Sequence, residues 1–396
     1  MKNETKLIHI GRNPKQHSGS VNPPIYQTST IVFSTLEDYK KANKGIASYE
    51  DEFGDQQIDC GYGITGTPTT FALQKAISEL EGSDYSWIVP SGLSAISTAI
   101  LSFVESGDHI LVADTVYGPT RRFCNKSLKK LGVETEYYDP LIGSNIKKLI
   151  RKNTRLIFLE SPGSLTFEMQ DVPAITKVAR SNNIITIIDN SWATPLYYQP
   201  LKNGCDVSIQ AITKYISGHA DILLGSISAN KKHQARINSC YRNYGIHVSP
   251  YACSQVLRGL RTLDVRLKRH EESALKVAKF LESHKKVTRV LYPPLPSDPG
   301  YKLWKRDFSG ANGLLSFVLD KEYKDSQIAK FINKLKYFSI GSSWGGYESL
   351  IVHFDPRNEV RSVTNWRDNR TCIRIHVGLE NSEDLIKDLE TGLKRL

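Results

Sequence analysis

The segment DVSIQAITKYISGH, residues 206–219, places a lysine directly after a run of strand-forming residues. Val207 to Ile212 predicts a buried strand, and Gly218 predicts the turn that follows Lys214. A lysine is rarely buried without a partner, so one at a strand end inside a cleft indicates a charge partner or a covalent role. From the spacing alone, an ordinary surface lysine at the end of a strand is the favoured interpretation. The residues around Lys214 must decide between the two.

A second apolar strand points to the same place. Ile184 to Ile188 is followed directly by Asp189, in the order IITIIDNSW. In open α/β sheets, ligands bind outside the carboxyl ends of the strands, so Asp189 and Lys214 are predicted to face one crevice. The alternative for Asp189 is a helix N-cap, a position that aspartate favours.

The surrounding chain alternates between strands and helices. Further strands are predicted at residues 109–112, 156–159 and 222–227, and helices at 69–80, 91–104, 121–131 and 172–181. Alternation with nearly continuous apolar strands predicts a mostly parallel, doubly wound α/β domain. Residues 1–60 are polar and predict an extended arm, 61–255 the large domain, and 256–396 a smaller C-terminal α+β domain. In that last part a helix is predicted at 266–284, strands at 313–319 and 371–376, and a terminal helix from 382.

Composition narrows the function classes. The 396 residues carry 52 Lys and Arg against 41 Asp and Glu, a net charge of +11. The basic residues are spread along the chain, which favours solvated helix faces over a nucleic-acid site. Apolar runs long enough to cross a membrane are absent from the sequence. The six cysteines are scattered without a C-x-x-C pair, which predicts reduced thiols in a cytoplasmic protein and no metal site.

A glycine motif suggests a different cofactor. Residues 61–66 read GYGITG, which matches the G-x-G-x-x-G pattern of dinucleotide-binding proteins. That interpretation requires an apolar strand before the motif and a helix after it. The preceding residues 55–60 are mostly polar, so we expect a turn in the arm and no nicotinamide cofactor.

Seven motifs in order carry a family resemblance. They are YG at 62–63, SG at 91–92, TVYG at 115–118, LESPG at 159–163, TKY at 213–215, SWGGYESL at 343–350 and IRIHVGLE at 373–380. Together with the Asp189 strand they resemble the cysteine/methionine-metabolism family of pyridoxal-phosphate (PLP) enzymes, over essentially the whole chain. The resemblance implies fold type I, the aspartate-aminotransferase-like fold, and PLP as cofactor.

The resemblance also implies roles for residues around the cofactor. Lys214 would hold PLP as a Schiff base and move protons, and Asp189 would pair with the pyridine nitrogen. Tyr117 would stack on the ring, although an aromatic residue of the core is the alternative.

Phosphate binding is implied for a second group. The backbone amides of Gly92 and Leu93 at a helix start, with the hydroxyl of Thr213, would hold the phosphate. Tyr62 would reach the phosphate and substrate of a neighbouring subunit. The family therefore implies a homotetramer built as a dimer of dimers.

Substrate contacts follow from the C-terminal motifs. Arg374 would bind the α-carboxylate of a small amino-acid substrate, a task suited to a guanidinium fork. Ser343 and Trp344 would line the same side, with core packing as the alternative for the tryptophan. Arg122 lies where related β-lyases tend to carry an acid, so it is a candidate for the distal end of the substrate.

The reaction is predicted from the form of the SWGGYESL motif, which resembles bacterial cystathionine β-lyases. We expect cleavage of L-cystathionine to homocysteine, pyruvate and ammonia, a step of methionine biosynthesis. A γ-type lyase or synthase, like methionine γ-lyase or cystathionine γ-synthase, is the alternative within the family. A non-catalytic protein that kept the fold is the alternative outside it.

Two departures from the family pattern concern specificity. Ile64 and Thr65 stand where the family usually has arginine in the arm motif. Loss of that charge should weaken retention of the cofactor by about 1.5–3 kcal/mol. The cation at Arg122 would either take over the phosphate or the distal carboxylate, or relax the specificity so that racemisation of amino acids becomes measurable.

Overall fold

The computed structural model describes residues 1–43, 48–50, 56–58, 61–359 and 361–396. The α-helices are α1 (Asn3–His9), α2 (Leu36–Asn43), α3 (Pro68–Glu81), α4 (Gly92–Leu101), α5 (Gly118–Arg122), α6 (Val172–Ser181), α7 (Thr194–Tyr197), α8 (Gln234–Asn243), α9 (Pro250–Leu260), α10 (Leu263–Ser283), α11 (Tyr301–Asp307), α12 (Asp325–Ile332), α13 (Pro356–Glu359) and α14 (Ser382–Leu393). The strands are β1 (Ser48–Glu50), β2 (Gln56–Ile58), β3 (Tyr85–Val89), β4 (His109–Ala113), β5 (Glu134–Tyr138), β6 (Thr154–Glu160), β7 (Ile185–Asp189), β8 (Val207–Gln210), β9 (Gly225–Ala229), β10 (Val287–Leu291), β11 (Leu314–Leu319), β12 (Ser339–Ile340), β13 (Leu350–Phe354) and β14 (Cys372–His376).

A seven-stranded sheet forms the centre of the large domain. Its order is β3-β9-β8-β7-β6-β4-β5. The pairs from β5 through β8 are parallel, whereas β9 runs antiparallel to both of its neighbours. Strands β4, β8 and β9 are buried along their whole length, because helices cover both faces of the sheet. The predicted mostly parallel α/β fold is confirmed.

The helix predicted at residues 121–131 differs from the structure. Helix α5 ends at Arg122, and the chain continues as a π-helical turn over Phe123–Leu128. The wider turn keeps Cys124 and Leu128 buried. By contrast, α6 has the predicted bounds and begins at a cap in which the Asp171 carboxylate accepts the Ala174 N–H.

A second sheet lies in the C-terminal part of the chain. Its five strands have the order β10-β11-β14-β13-β12, antiparallel except for the pair β12 and β13. Helix α10 packs against β10 and β11, and α14 packs against α10. This arrangement is the smaller α+β region that the sequence predicts, and the exact domain boundaries stay a prediction.

The glycine motif at residues 61–66 does not open a dinucleotide-binding unit. Helix α3 follows the motif, as that unit requires. However, β2, the strand described before it, pairs with β1 in a separate antiparallel sheet. Of the preceding residues, 55, 59 and 60 lie outside the described residues.

Five of the six cysteines lie within the described residues. Cys124, Cys205, Cys240, Cys253 and Cys372 are free thiols and are buried, whereas Cys60 lies outside the described residues. Among the helices of the described ranges, none combines the length and apolarity that a membrane crossing needs. The same part of the chain holds no group of three His, Cys, Asp or Glu residues arranged to bind a metal ion.

The buried carboxylate of Asp114 connects the large domain to the C-terminal part of the chain. Asp114 follows β4 and accepts the backbone N–H groups of Ser362, Val363 and Thr364, each at 3.0 Å. It also accepts the Ser362 hydroxyl at 2.7 Å and Arg121 Nη2 at 2.8 Å. The segment before β14 is thereby held against the large domain.

Candidate active site

Four polar side chains gather at the carboxyl edge of the large sheet. Tyr117 follows β4, Glu160 ends β6, Asp189 ends β7 and Lys214 follows β8. The charge of Lys214 acts on Asp189, and the charges of Asp189 and Glu160 act on the Tyr117 phenol. The structure therefore brings the two residues singled out first, Lys214 and Asp189, into one crevice.

Lys214 is held by the C-terminal part of the chain. Its Nζ donates to Ser343 Oγ at 2.6 Å and lies 5.1 Å from the centre of the Trp344 ring. Burial lowers the pKa of Lys214 to about 8, with a contribution from the charge of Arg374, while Asp189 opposes the shift. Near neutral pH a much larger fraction of this amine than of an ordinary lysine is therefore unprotonated and available as a nucleophile or base.

The loop of Ser343 to Gly346 lies directly against Lys214. Ser343 has a φ of +86°, an unusual conformation for a residue with a side chain. Gly345 has a φ of +87°, and a Cβ there would lie 2.8 Å from the carbonyl carbon of Lys214. Only glycine fits this close approach of two backbones.

Arg374 reaches the same loop from β14. Its Nη2 donates to the Ser343 carbonyl at 3.0 Å, and the residue is 9% exposed. Within the described residues, its buried Nε has no hydrogen-bond partner. Burial lowers the pKa of Arg374 to about 10. A buried guanidinium with an unused donor is suited to binding a carboxylate.

A buried network supports the loop from behind. The Gly345 N–H lies 3.1 Å from His376 Nε2, and His376 Nδ1 lies 3.4 Å from the Tyr215 hydroxyl. Gly313 N–H donates to the same hydroxyl at 3.1 Å. Arg266 donates to the Tyr215 carbonyl at 2.7 Å. These contacts fix the residue that follows Lys214, and the sequence did not point to them.

Helix α4 begins at the edge of the crevice, with Ser91 as its N-cap residue. The first amides of a helix have no partner inside it. Here Ser91 accepts the Ser94 N–H with its hydroxyl and the Ala95 N–H with its carbonyl. The amides of Gly92 and Leu93 remain for an anion.

Thr213 has a different environment from the one expected. Its hydroxyl donates to the Leu224 carbonyl and accepts the Leu224 N–H, both at 3.1 Å. This pair closes the turn that contains Lys214. To donate to a phosphate, the hydroxyl would have to leave the Leu224 carbonyl.

Comparison with known proteins identifies the family. The model of the Cys/Met metabolism PLP-dependent enzymes matches residues 4–394. This chain belongs to that family. The resemblance, the fold type and the cofactor predicted from the sequence are thereby confirmed.

Three relatives of the family match this chain along almost all of its length. An L-alanine/L-glutamate racemase of Wolbachia pipientis is 44% identical, over 100% of this chain and 98% of its own. The cystathionine beta-lyase MetC of Escherichia coli is 42% identical, over 99% and 98%. A cystathionine beta-lyase of Haemophilus influenzae is 41% identical, over the same shares.

The crevice fits the cofactor of the family. Lys214 has the depressed pKa that binding of an aldehyde requires, and Asp189 ends the neighbouring strand. Helix α4 offers the amides of Gly92 and Leu93 to a phosphate. The unused Nε of Arg374 leaves a place for the carboxylate of an amino acid.

Two predicted site residues, Tyr62 and Arg122, lie outside the group formed by Lys214, Asp189 and Arg374. Tyr62 is 53% exposed and lines a cavity of about 750 Å³ together with Ile64 and Trp87; Lys214 is not among the residues that line it. Arg122, the last residue of α5, is exposed, and its charge acts on the Tyr117 phenol. That Tyr62 serves a neighbouring subunit stays a prediction.

Proposed function

We propose that this chain is a carbon–sulfur β-lyase that cleaves L-cystathionine to homocysteine, pyruvate and ammonia. The observation that carries the proposal is the contact between Lys214 Nζ and Ser343 Oγ beside the buried Arg374. It places a base of lowered pKa next to a carboxylate-binding group. Relatives more than 40% identical over 99% of the chain are named cystathionine beta-lyases.

Arg374 is the proposed anchor of the substrate. Its guanidinium binds the α-carboxylate, which directs the Cα–H bond toward Lys214. Lys214 removes the Cα proton and delivers a proton to the sulfur that departs from Cβ. Ser343 Oγ, which accepts the Lys214 hydrogen, keeps the amine oriented between these two positions.

Asp189 and Tyr117 are proposed to hold the cofactor. When bound, PLP supplies a conjugated ring that delocalises the electron pair left at Cα. Asp189 keeps the proton on the pyridine nitrogen. Tyr117, 45% exposed at the mouth of the crevice, covers the face of the ring.

Product identification tests the proposal. The purified protein should be yellow, with a visible band that borohydride bleaches, and should release pyruvate from L-cystathionine. Lys214→Ala should lose both the band and the turnover, whereas Lys202→Ala, on the surface of the same domain, should keep both. Release of 2-oxobutyrate instead of pyruvate would contradict β-elimination and favour the γ-type alternative.

A second candidate activity is racemisation. It rests on Arg122, an exposed guanidinium close enough to act on Tyr117, and on the relative named L-alanine/L-glutamate racemase. Lys214 would remove the Cα proton, reprotonation from the opposite face would invert the centre, and Arg122 would bind the distal carboxylate of a substrate such as glutamate. Chiral analysis should then detect D-alanine and D-glutamate. Arg122→Ala should reduce the glutamate reaction more than the alanine reaction, and Lys129→Ala should change neither.

We also propose that the enzyme is a cytoplasmic homotetramer in which Tyr62 completes the site of a neighbouring subunit. The buried free cysteines and the exposure of Tyr62 support this. Tyr62→Ala and Lys214→Ala chains should each be inactive. When they are mixed and reassembled, they should recover about a quarter of the wild-type activity, because some hybrid sites combine both native residues. Absence of recovery, with light scattering showing mixed oligomers, would contradict a shared site.

A further inference from the structure

Two carboxyl groups stand side by side at the floor of the crevice. Glu160 and Asp189 are partners in the parallel pair of β6 and β7, each at the end of its strand. Partners on neighbouring strands lie about 4.8 Å apart and point to the same face of the sheet. Both residues are half-buried. The sequence suggested a role for Asp189 and none for Glu160.

Glu160 holds the backbone of the residue that covers the crevice. Its Oε2 accepts the Tyr117 N–H at 2.8 Å, immediately before α5 begins. Its own carbonyl accepts Gln170 Nε2 at 2.9 Å, and Gln170 Oε1 accepts the buried Tyr138 hydroxyl at 3.0 Å. The backbone of Glu160 is therefore attached to the core, and its carboxyl group to the backbone of Tyr117.

The charges around the pair favour one anion. Burial raises the pKa of Glu160 well above the ordinary carboxyl value, and the charge of Asp189 raises it further. Burial also raises the pKa of Asp189, but the Ser191 N–H and the charge of Lys214 oppose that rise. Two carboxylates this close do not both ionise readily.

Other charged groups face the same space. Arg374 on β14 and Arg122 on α5 both act on the Tyr117 phenol, whose pKa burial raises. The charge of Lys214 acts on the carboxyl of Asp189, which favours Asp189 as the carboxyl that is ionised. A second fixed anion at Glu160 would change the protonation of anything bound above the floor.

We propose that Glu160 is a positioning residue that works as a neutral acid: it orients Tyr117 through the backbone N–H and leaves Asp189 as the single anion at the floor of the crevice. The inference rests on the roles proposed above for Asp189 and Tyr117. It adds to the cofactor site a second carboxyl group, Glu160, that is protonated where Asp189 is ionised.

Glu160→Gln tests the neutral state. Glutamine keeps an oxygen acceptor for the Tyr117 N–H and carries no charge, as the neutral acid does. The visible band of bound PLP should therefore titrate within about 0.3 pH unit of the wild type, because a neighbouring charge typically moves a pKa by one unit or more. Glu134→Gln, on the exposed edge of β5, is the matched control. A midpoint moved by a unit or more in Glu160→Gln alone would overturn the inference.

Glu160→Ala tests the positioning role. With the Tyr117 N–H left without its acceptor, the Kd for PLP should rise about tenfold. If the alanine variant does not fold, Glu160→Asp serves the same purpose, since it keeps the acid but withdraws the acceptor by one methylene. A wild-type Kd in the variant that folds would overturn the inference. A PLP band that survives in Lys214→Ala would instead overturn the site assignment itself.

Discussion

Asp114→Ala should destabilise the protein by about 4 kcal/mol. The Asp114 carboxylate is fully buried and accepts three backbone N–H groups, two hydroxyls and one guanidinium. Removing one partner of a buried, hydrogen-bonded ion pair costs about 3–5 kcal/mol, because the other partner stays buried without compensation. Arg121 is that other partner.

The same carboxylate makes this contribution dependent on pH. Burial alone would raise the pKa of Asp114, but hydrogen bonds from Thr364, Ser362 and Arg121 outweigh it and hold the pKa well below the ordinary value. A carboxyl whose folded pKa is depressed stabilises fully above its unfolded pKa of about 3.9. The contribution is lost as the pH falls from there through the folded pKa. The difference in free energy of unfolding between wild type and Asp114→Asn should accordingly become smaller below about pH 3.9.

Urea denaturation and limited proteolysis measure these effects. The urea midpoint of Asp114→Ala should fall by about 1 M at pH 7. Trypsin should also cut faster at Arg361 and Arg367, because the segment before β14 is no longer held. Asp325→Asn, at the exposed start of α12, should change stability by less than about 1 kcal/mol. An unchanged midpoint together with unchanged tryptic resistance in Asp114→Ala would refute the argument.

Four further predictions concern the site. Gly345→Ala should lower kcat at least tenfold, because its Cβ would lie 2.8 Å from the Lys214 carbonyl carbon. Gly107→Ala is the control for backbone strain without a clash, since Gly107 has a φ of +91° and nothing lies within 4 Å of an added Cβ. Steady-state kinetics measures both variants. Arg374→Lys should reduce kcat/KM about 100-fold, since an ammonium cannot form the paired hydrogen bonds of a guanidinium; equal values would show that Arg374 does not bind substrate. The rate at which apoprotein takes up PLP, measured by stopped-flow absorbance, should rise with pH through about 8, the pKa of Lys214. The midpoint of this rise should move to higher pH in Arg374→Ala, because the Arg374 charge lowers that pKa. A midpoint that stays or moves to lower pH would contradict this role of the charge. Ile64→Arg should lower the Kd for PLP about tenfold by restoring a cation near the phosphate, and fluorescence titration showing weaker binding would contradict the shared site.

Much of the fold could be predicted from the sequence. Strands β4, β6 and β7 each contain a run of consecutive apolar residues, because parallel sheets are buried on both faces. These runs located the strands. Strand β5 was not predicted, since its residues are partly exposed and alternate with charge at the edge of the sheet. The π-helical turn after α5 was also not predicted, because it depends on packing around Cys124 and Leu128 and has no local sequence signal.

The candidate site divides in a similar way. Local sequence indicated that Lys214 and Asp189 share one crevice, because both follow apolar strands and parallel topology brings the carboxyl ends of strands to one edge. Their cofactor roles came from the resemblance carried by the ordered motifs and stay a prediction. The tertiary structure alone decided what surrounds them. Ser343 lies 129 residues from Lys214 and yet accepts its amine hydrogen, and Glu160 meets Asp189 only through the pairing of their strands. Hydrogen bonds, burial and shifts in pKa arise between residues distant in the chain, so no local pattern encodes them.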